Sequence, residues 1–289
     1  MTSGDWPAPA KLNLFLHVTG RRQDGYHELQ TAFQMLDFCD LLDFEPRGDG
    51  IIRRIAGNET VDAAADLAVR AARLLQAATG SPLGADISIR KRIPLQGGLG
   101  GGSSDAATTL AALNELWRTG LTAEALASLG LELGADVPVF VHGRSAWAEG
   151  VGERLRPVEL PGGWFAVVRP GVAVSTAEVF QAPELTRNSS PITIRSFLLE
   201  GGRNDCEPVV TARYPEVRRA LDWLRRSAPA SMTGTGSCVF ARFASREAAS
   251  AALAGLPAGW QGFVARGIAE SPLLGRLEAE RAAARRELG

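Results

Sequence analysis

Residues Pro94-Leu95-Gln96-Gly97-Gly98-Leu99-Gly100-Gly101-Gly102-Ser103-Ser104-Asp105-Ala106-Ala107 place five glycines within six positions, then two hydroxyls and an alanine-rich run. Glycine lets a backbone reach positive φ and approach a ligand closely. A helix that opens in such a loop offers unpaired N–H groups and the positive end of its dipole, a combination suited to phosphate oxygens. A flexible glycine linker would join polar, unpatterned segments. Here Ala85 to Arg90 alternates like a strand on one side, and Leu110, Leu113 and Trp117 recur at helical spacing on the other. The spacing excludes two common phosphate motifs. Ser103 stands where a P-loop needs lysine, and again where the dinucleotide fingerprint needs its third glycine. The chain also has no His-Arg-Asp or Asp-Phe-Gly triplet of the protein kinases.

Phosphoryl transfer needs positioned phosphates, cations to offset charge, and a group that orients or deprotonates the acceptor hydroxyl. Of 31 basic residues only Lys11 and Lys91 are lysine, a compact charge that arginine's flat fork does not imitate. Lys11 lies in the apolar run Pro7 to Leu16, where a buried ammonium requires an anion. Lys91 lies just ahead of the glycine loop. Asp136, in Gly134-Ala135-Asp136-Val137-Pro138, is the candidate base; as a partner of Lys11 it would stay ionised and accept a hydroxyl proton. A capping or turn aspartate is its structural alternative. Tyr26-His27 follows the Asp24-Gly25 turn, Thr176 and Phe180 share one short segment, and Thr233-Gly234-Thr235-Gly236-Ser237 is a second glycine turn. Each is weak alone. His17 and His142 have no partners at metal spacing and are read as structural, and no metal-ligand set is identified.

The elements that must hold these groups follow from periodicity. Strands are expected at 10–19, 28–45, 85–90, 144–149 and 164–170, and helices at 63–78, from the glycine loop to about 120, at 122–130, 213–227 and 246–254. The segment 134–141 reads as a helix end turning into a strand. Residues 276–289 read as a solvated, charged helix. Strands and helices mix without strict alternation, so the class is α+β. A change of texture near residue 158 suggests two lobes, 1–158 and 159–289, with a cleft for two ligands. The 289 residues are 45% hydrophobic with net charge −1, which gives no electrostatic case for nucleic acid or an anionic membrane. No apolar run reaches membrane-spanning length. Three scattered cysteines, Cys39, Cys206 and Cys238, fit a reducing, cytoplasmic setting.

Together these stretches resemble the GHMP kinase superfamily, and within it the kinases of a cytidine-diphosphate-linked methylerythritol. The resemblance is carried by Pro9-Ala10-Lys11-Leu12-Asn13-Leu14, Asp24-Gly25-Tyr26-His27, Pro94 to Ala107, Gly134 to Phe140, Ala148 to Glu153, Asn204-Asp205-Cys206-Glu207, Thr233 to Phe240 and Ser271-Pro272-Leu273. It implies a two-lobed architecture with an N-terminal ATP-binding lobe and a C-terminal substrate lobe. It also implies ATP as donor with Mg²⁺, and phosphorylation of the tertiary 2-hydroxyl of that small molecule in the non-mevalonate isoprenoid pathway. By position, Asp136 resembles the base and Lys11 its charged partner. Lys91 and Pro94 to Ser104 resemble the ATP-binding residues. Asn13, Tyr26, His27, Thr176 and Phe180 resemble the substrate ligands, with Tyr26 and Phe180 stacking on cytosine. A monomer or weak homodimer is expected. The chain departs from the pattern at Asp66, Gln96 and Asp105, where the family usually has asparagine, a small residue and asparagine. Two alternatives stay open: a GHMP kinase for another small alcohol, and a non-catalytic nucleotide-binding regulator.

Overall fold

Two long antiparallel strands, β1 (Ser3–Arg21) and β2 (His27–Arg47), organise the chain in a computed structural model that describes residues 3–57 and 61–287. Then follow β3 (Ile52–Ala56), α1 (Leu67–Thr79), β4 (Gly84–Arg90), α2 (Gly101–Leu116), α3 (Ala123–Leu133), α4 (Val137–His142), β5 (Ala146–Gly150), β6 (Arg154–Pro157) and β7 (Gly163–Arg169). The remainder comprises α5 (Thr176–Gln181), α6 (Ile194–Glu200), α7 (Glu207–Arg213), α8 (Pro215–Arg225), β8 (Ala230–Met232), β9 (Val239–Phe243), α9 (Arg246–Ala252), β10 (Gln261–Ile268) and α10 (Pro272–Glu287).

The architecture is α+β and two-lobed, as expected, with one sheet passing through both lobes in the order β3-β4-β2-β10-β7-β9-β8. Strand β2 is the seam. It pairs β1 along its length, β5 through Leu29 to Phe33, β4 through Leu41 to Arg47, and β10 at Met35 and Leu36. One core gathers the β1–β5 region under α1 to α4. A second lies between β7, β9 and the helices α7, α8 and α9. Helix α2 is buried on all sides from Ser104 to Asn114, and its alanines admit neighbouring elements on every face.

Several boundaries differ from the expectation, each for a local reason. Helix α1 starts at Leu67 and not at residue 63, because Ala65 and Asp66 donate to Asp62 O in a turn and Asp66 then caps Ala68 N at 2.9 Å. Gly80 ends it in the left-handed conformation. The segment Val137 to His142 is helix and not strand, although its residues favour strands. Pro138 suits a first helical turn, and the apolar side chains are all buried. The expected helix 213–227 breaks at Tyr214, since Pro215 denies its predecessor a helical backbone. Thr122 caps α3 as anticipated. The tail is not wholly solvated: Leu273 and Leu277 return to the first core, and Arg276 stacks on Trp6 at 4.2 Å.

Candidate active site

Strand β1 places Lys11 and Asn13 two residues apart on one face, beside register shifts that bend it. Both are buried. Asn13 Nδ2 donates to Thr31 Oγ1 at 3.0 Å, which leaves its Oδ1 to accept from Lys11 Nζ at 2.5 Å. Lys11 Nζ also donates to Gly98 O at 3.2 Å and pairs with Asp136 Oδ2 at 3.1 Å. The ammonium lies 5.3 Å from the Phe33 ring centre. Asp136 is the residue before α4, yet its side chain caps no N–H. The buried lysine therefore has its anion, and a third of the Asp136 side chain faces open space.

The glycine loop runs into α2 earlier than its composition suggests. Gly100 sits in the left-handed region at the helix start, and the first helical hydrogen bond is Ser104 N to Gly100 O at 2.8 Å. Among the described residues the N–H groups of Gly101, Gly102 and Ser103 have no partner outside the helix. Ser104 is buried, and its Oγ has no partner among the described residues. Leu99 is fixed in the core below the loop and its carbonyl accepts from Lys11 N at 3.0 Å, while Leu95 is exposed. The second glycine turn forms the back wall. Cys238 N donates to Gly97 O at 3.2 Å, Ser237 N to Gln96 O at 3.3 Å, and Thr233 Oγ1 to Gly98 O at 3.2 Å. A side chain at Gly98 would put its Cβ 2.2 Å from Thr233 O at a φ of +73°, so only glycine fits.

A cavity of about 1190 Å³ opens between the lobes. Lys11, Asn13, Gln96, Gly98, Ser103 and Asp136 line one part, and Tyr26, His27, Thr176 and Phe180 another. Pro94, Leu95, Gly97, Leu99, Gly100, Gly101, Gly102 and Ser104 belong to the loop but do not line this cavity. Tyr26 is exposed on the tight 22–26 turn, and Phe180 stacks on His27 with centres 5.1 Å apart and planes at 23°. Thr176 and Thr235 share a hydroxyl hydrogen bond at 2.8 Å, joining α5 to the second glycine turn.

Lys91 sits beside the loop, its Nζ 3.5 Å from where a Cβ at Gly101 would lie. It does not line the cavity; its ammonium is held by Asp40 and by Asp105 at 2.6 Å. Asp40 is fully buried and also accepts from the N–H groups of Arg92 and Ile93. Burial pushes the Asp105 carboxyl up to about 7, against the opposing pull of Lys91. Asp66 is engaged by Arg54 at 2.6 Å as well as by the α1 cap. Among the described residues no group of three or more His, Cys, Asp or Glu gathers as a metal site, and no helix is long and apolar enough to cross a membrane.

Two residues that support the cavity were given no individual role from the sequence. Asn204 donates to Met232 O and Gly234 O, both at 2.8 Å, and so holds the second glycine turn. Its only sequence signal was the Asn-Asp-Cys-Glu stretch. Arg187 reaches His27, and nothing in its irregular surroundings marked it.

The GHMP kinases N terminal domain model matches residues 66–144, and the GHMP kinases C terminal model matches 183–262. A 4-diphosphocytidyl-2-C-methyl-D-erythritol kinase of Alkalilimnicola ehrlichii is 63% identical over 99% of this chain and 98% of its own. Its namesake from Nitrosococcus oceani is 60% identical over 94% of this chain and 98% of its own. A crystal structure of 4-(cytidine 5'-diphospho)-2C-methyl-D-erythritol kinase is 36% identical, with a TM-score of 0.78 over 93% of this chain and all of that one. Homoserine kinase from Cytophaga hutchinsonii, 16% identical, shares the fold with a TM-score of 0.69 over 93% of this chain and 95% of its own. With matching models in both halves and close relatives along nearly its whole length, the chain belongs to the 4-diphosphocytidyl-2-C-methyl-D-erythritol kinase family of GHMP kinases.

Proposed function

We infer that the chain transfers the terminal phosphoryl group of ATP to the tertiary 2-hydroxyl of 4-(cytidine 5'-diphospho)-2-C-methyl-D-erythritol, a step toward isoprenoid precursors by the non-mevalonate route. One observation carries this: the Lys11–Asp136 pair lines the same cavity as Gly98 of the phosphate loop and the His27–Phe180 stack. Asp136 accepts the proton of the acceptor hydroxyl as its oxygen bonds to the γ-phosphorus. The bond from that phosphorus to the ADP oxygen breaks, and ADP leaves with the electron pair. Asp136 later returns its proton to solvent. Lys11 pairs with Asp136 and offsets charge on the transferring group. The N–H groups at the start of α2 suit phosphate oxygens, and Ser103 there lines the cavity.

Magnesium bound with nucleotide is held chiefly by the phosphates with few protein ligands, and the Ser103 hydroxyl beside the loop fits that role. It would supply further neutralisation of the phosphates. Tyr26 and Phe180 supply ring faces for cytosine, worth on the order of 1–3 kcal/mol per stacked base. The buried cysteines, which are free thiols, suit a reducing cytoplasm. The test is ADP release with ATP, Mg²⁺ and the cytidine substrate beside mevalonate, homoserine and galactose. Turnover with the cytidine compound alone is expected. Turnover only with another alcohol would leave the kinase chemistry and remove the substrate assignment.

A further inference from the structure

Arg187 stands in the irregular stretch between α5 and α6, and its guanidinium makes four hydrogen bonds to one wall of the cavity. Nε donates to His27 Nε2 at 3.1 Å. One terminal nitrogen donates to Leu185 O at 3.1 Å, and the other to Phe180 O at 2.9 Å and Ala182 O at 2.7 Å. A guanidinium has only donors and keeps its proton. The imidazole nitrogen that meets it must be the bare, accepting one. A neutral His27 then carries its proton on Nδ1.

The surroundings favour that neutral form. Burial, then the charges of Arg187 and Arg21, hold the His27 pKa below its ordinary 6.5. Nδ1 has no partner among the described residues, and it is not sealed from solvent. His27 itself lines the cavity, and its ring face is taken by Phe180. One side chain thus touches both the histidine and the backbone that carries its stacking partner.

We propose that Arg187 is a positioning residue of the acceptor site: it locks His27 as the Nδ1–H tautomer, turns that donor toward the bound substrate, and seats Phe180 through its carbonyl. This rests on the cavity being the cytidine-diphosphate site, and it specifies that His27 meets an acceptor atom of that substrate. Lysine at 187 could still donate to Nε2 but could not span three carbonyls as well.

Two-bond ¹H–¹⁵N NMR of the imidazoles tests it directly, since the chain has three histidines and the His27→Asn variant identifies the signal. The full-length wild type without substrate is expected to show a protonated Nδ1 and a bare Nε2 at His27. Arg187→Gln is expected to move His27 toward the Nε2–H form. It should also raise KM for the cytidine substrate about tenfold, the scale of one lost hydrogen bond, with KM for ATP changed less than about twofold. Arg187→Lys should retain the tautomer. A wild type with Nε2 protonated overturns the proposal, and this spectrum decides even if the glutamine variant fails to fold. An unchanged tautomer and unchanged KM in Arg187→Gln overturn it too. Because the spectrum needs no turnover, failure of the substrate assignment would be seen separately in the ADP-release assay.

Discussion

Replacing Asp136 by asparagine keeps the side-chain shape and removes the charge, so it separates chemistry from folding. Two unit charges at the 3.1 Å seen between Lys11 and Asp136 attract by roughly 5 kcal/mol at an effective dielectric of about 20. The net loss in stability is smaller. Lys11 keeps Asn13 Oδ1 at 2.5 Å and Gly98 O at 3.2 Å, and a third of the Asp136 side chain is solvated. About 1–2 kcal/mol is expected, below the roughly 3–5 kcal/mol of a fully orphaned buried charge. The variant should therefore fold. Its kcat should fall about 10²- to 10⁴-fold, the contribution of a positioned base, equivalent to about 3–5 kcal/mol in the barrier. ATP affinity, set by the loop and the start of α2, should change less than about threefold. The assays are coupled ADP release at saturating substrates, calorimetric ATP binding and urea unfolding. A kcat within tenfold of wild type would refute Asp136 as the base. Loss of ATP binding in a folded variant would make it a support of the loop instead.

Three further outcomes follow from geometry already described. Phe180→Ala should raise KM for the cytidine substrate about tenfold or more, as one lost stacking face implies, and leave KM for ATP nearly unchanged in the same steady-state assay. Gly98→Ala meets Thr233 O at 2.2 Å in a left-handed backbone and should lower both stability and ATP affinity, by about 2–4 kcal/mol in stability; a urea midpoint equal to wild type would contradict the interlock of the two turns. For Asp105 the folded value near 7 lies above the ordinary 3.8, so the folded chain holds this proton more tightly. Its contribution is greatest below about pH 4 and is lost as the pH rises to about 7. Asp105→Asn should therefore gain stability relative to wild type between pH 5 and 8 by urea unfolding, with Lys91 still paired to Asp40; a gap that does not widen over that range would count against it.

Much of the site was legible because its residue types are costly where they stand. Lysine in an apolar strand demands an anion, and Asp136 supplied it. The dense glycines were legible for the same reason. The helix at Val137 to Val141 was not, because strand-favouring side chains can fill a buried first turn when Pro138 allows it and no partner strand lies beside them. Strand β10 was missed since Gly262 and Gly267 interrupt its alternation, although their neighbours pair with β7 throughout. Lys91 stood out by its place ahead of the loop, but its partner Asp40 lies 51 residues away in sequence and only the fold brings it near. Arg187 was invisible for a related cause: an arginine in a loop shows its purpose only when the carbonyls around it are known.

The interlock between the glycine loop and the second turn bears on how the protein is made. Thr233 lies 135 residues after Gly98, whose carbonyl it helps to hold, and β10 and α10 complete the first lobe later still. A ribosome that has released only the N-terminal half has delivered every glycine of the nucleotide loop and none of its back wall. The emerging chain therefore grows with the carbonyls of Gln96, Gly97 and Gly98 lacking the groups that hold them. The loop gains that wall late, when the last fifth of the chain arrives, so fragments ending before the second turn should be idle and not half-active kinases.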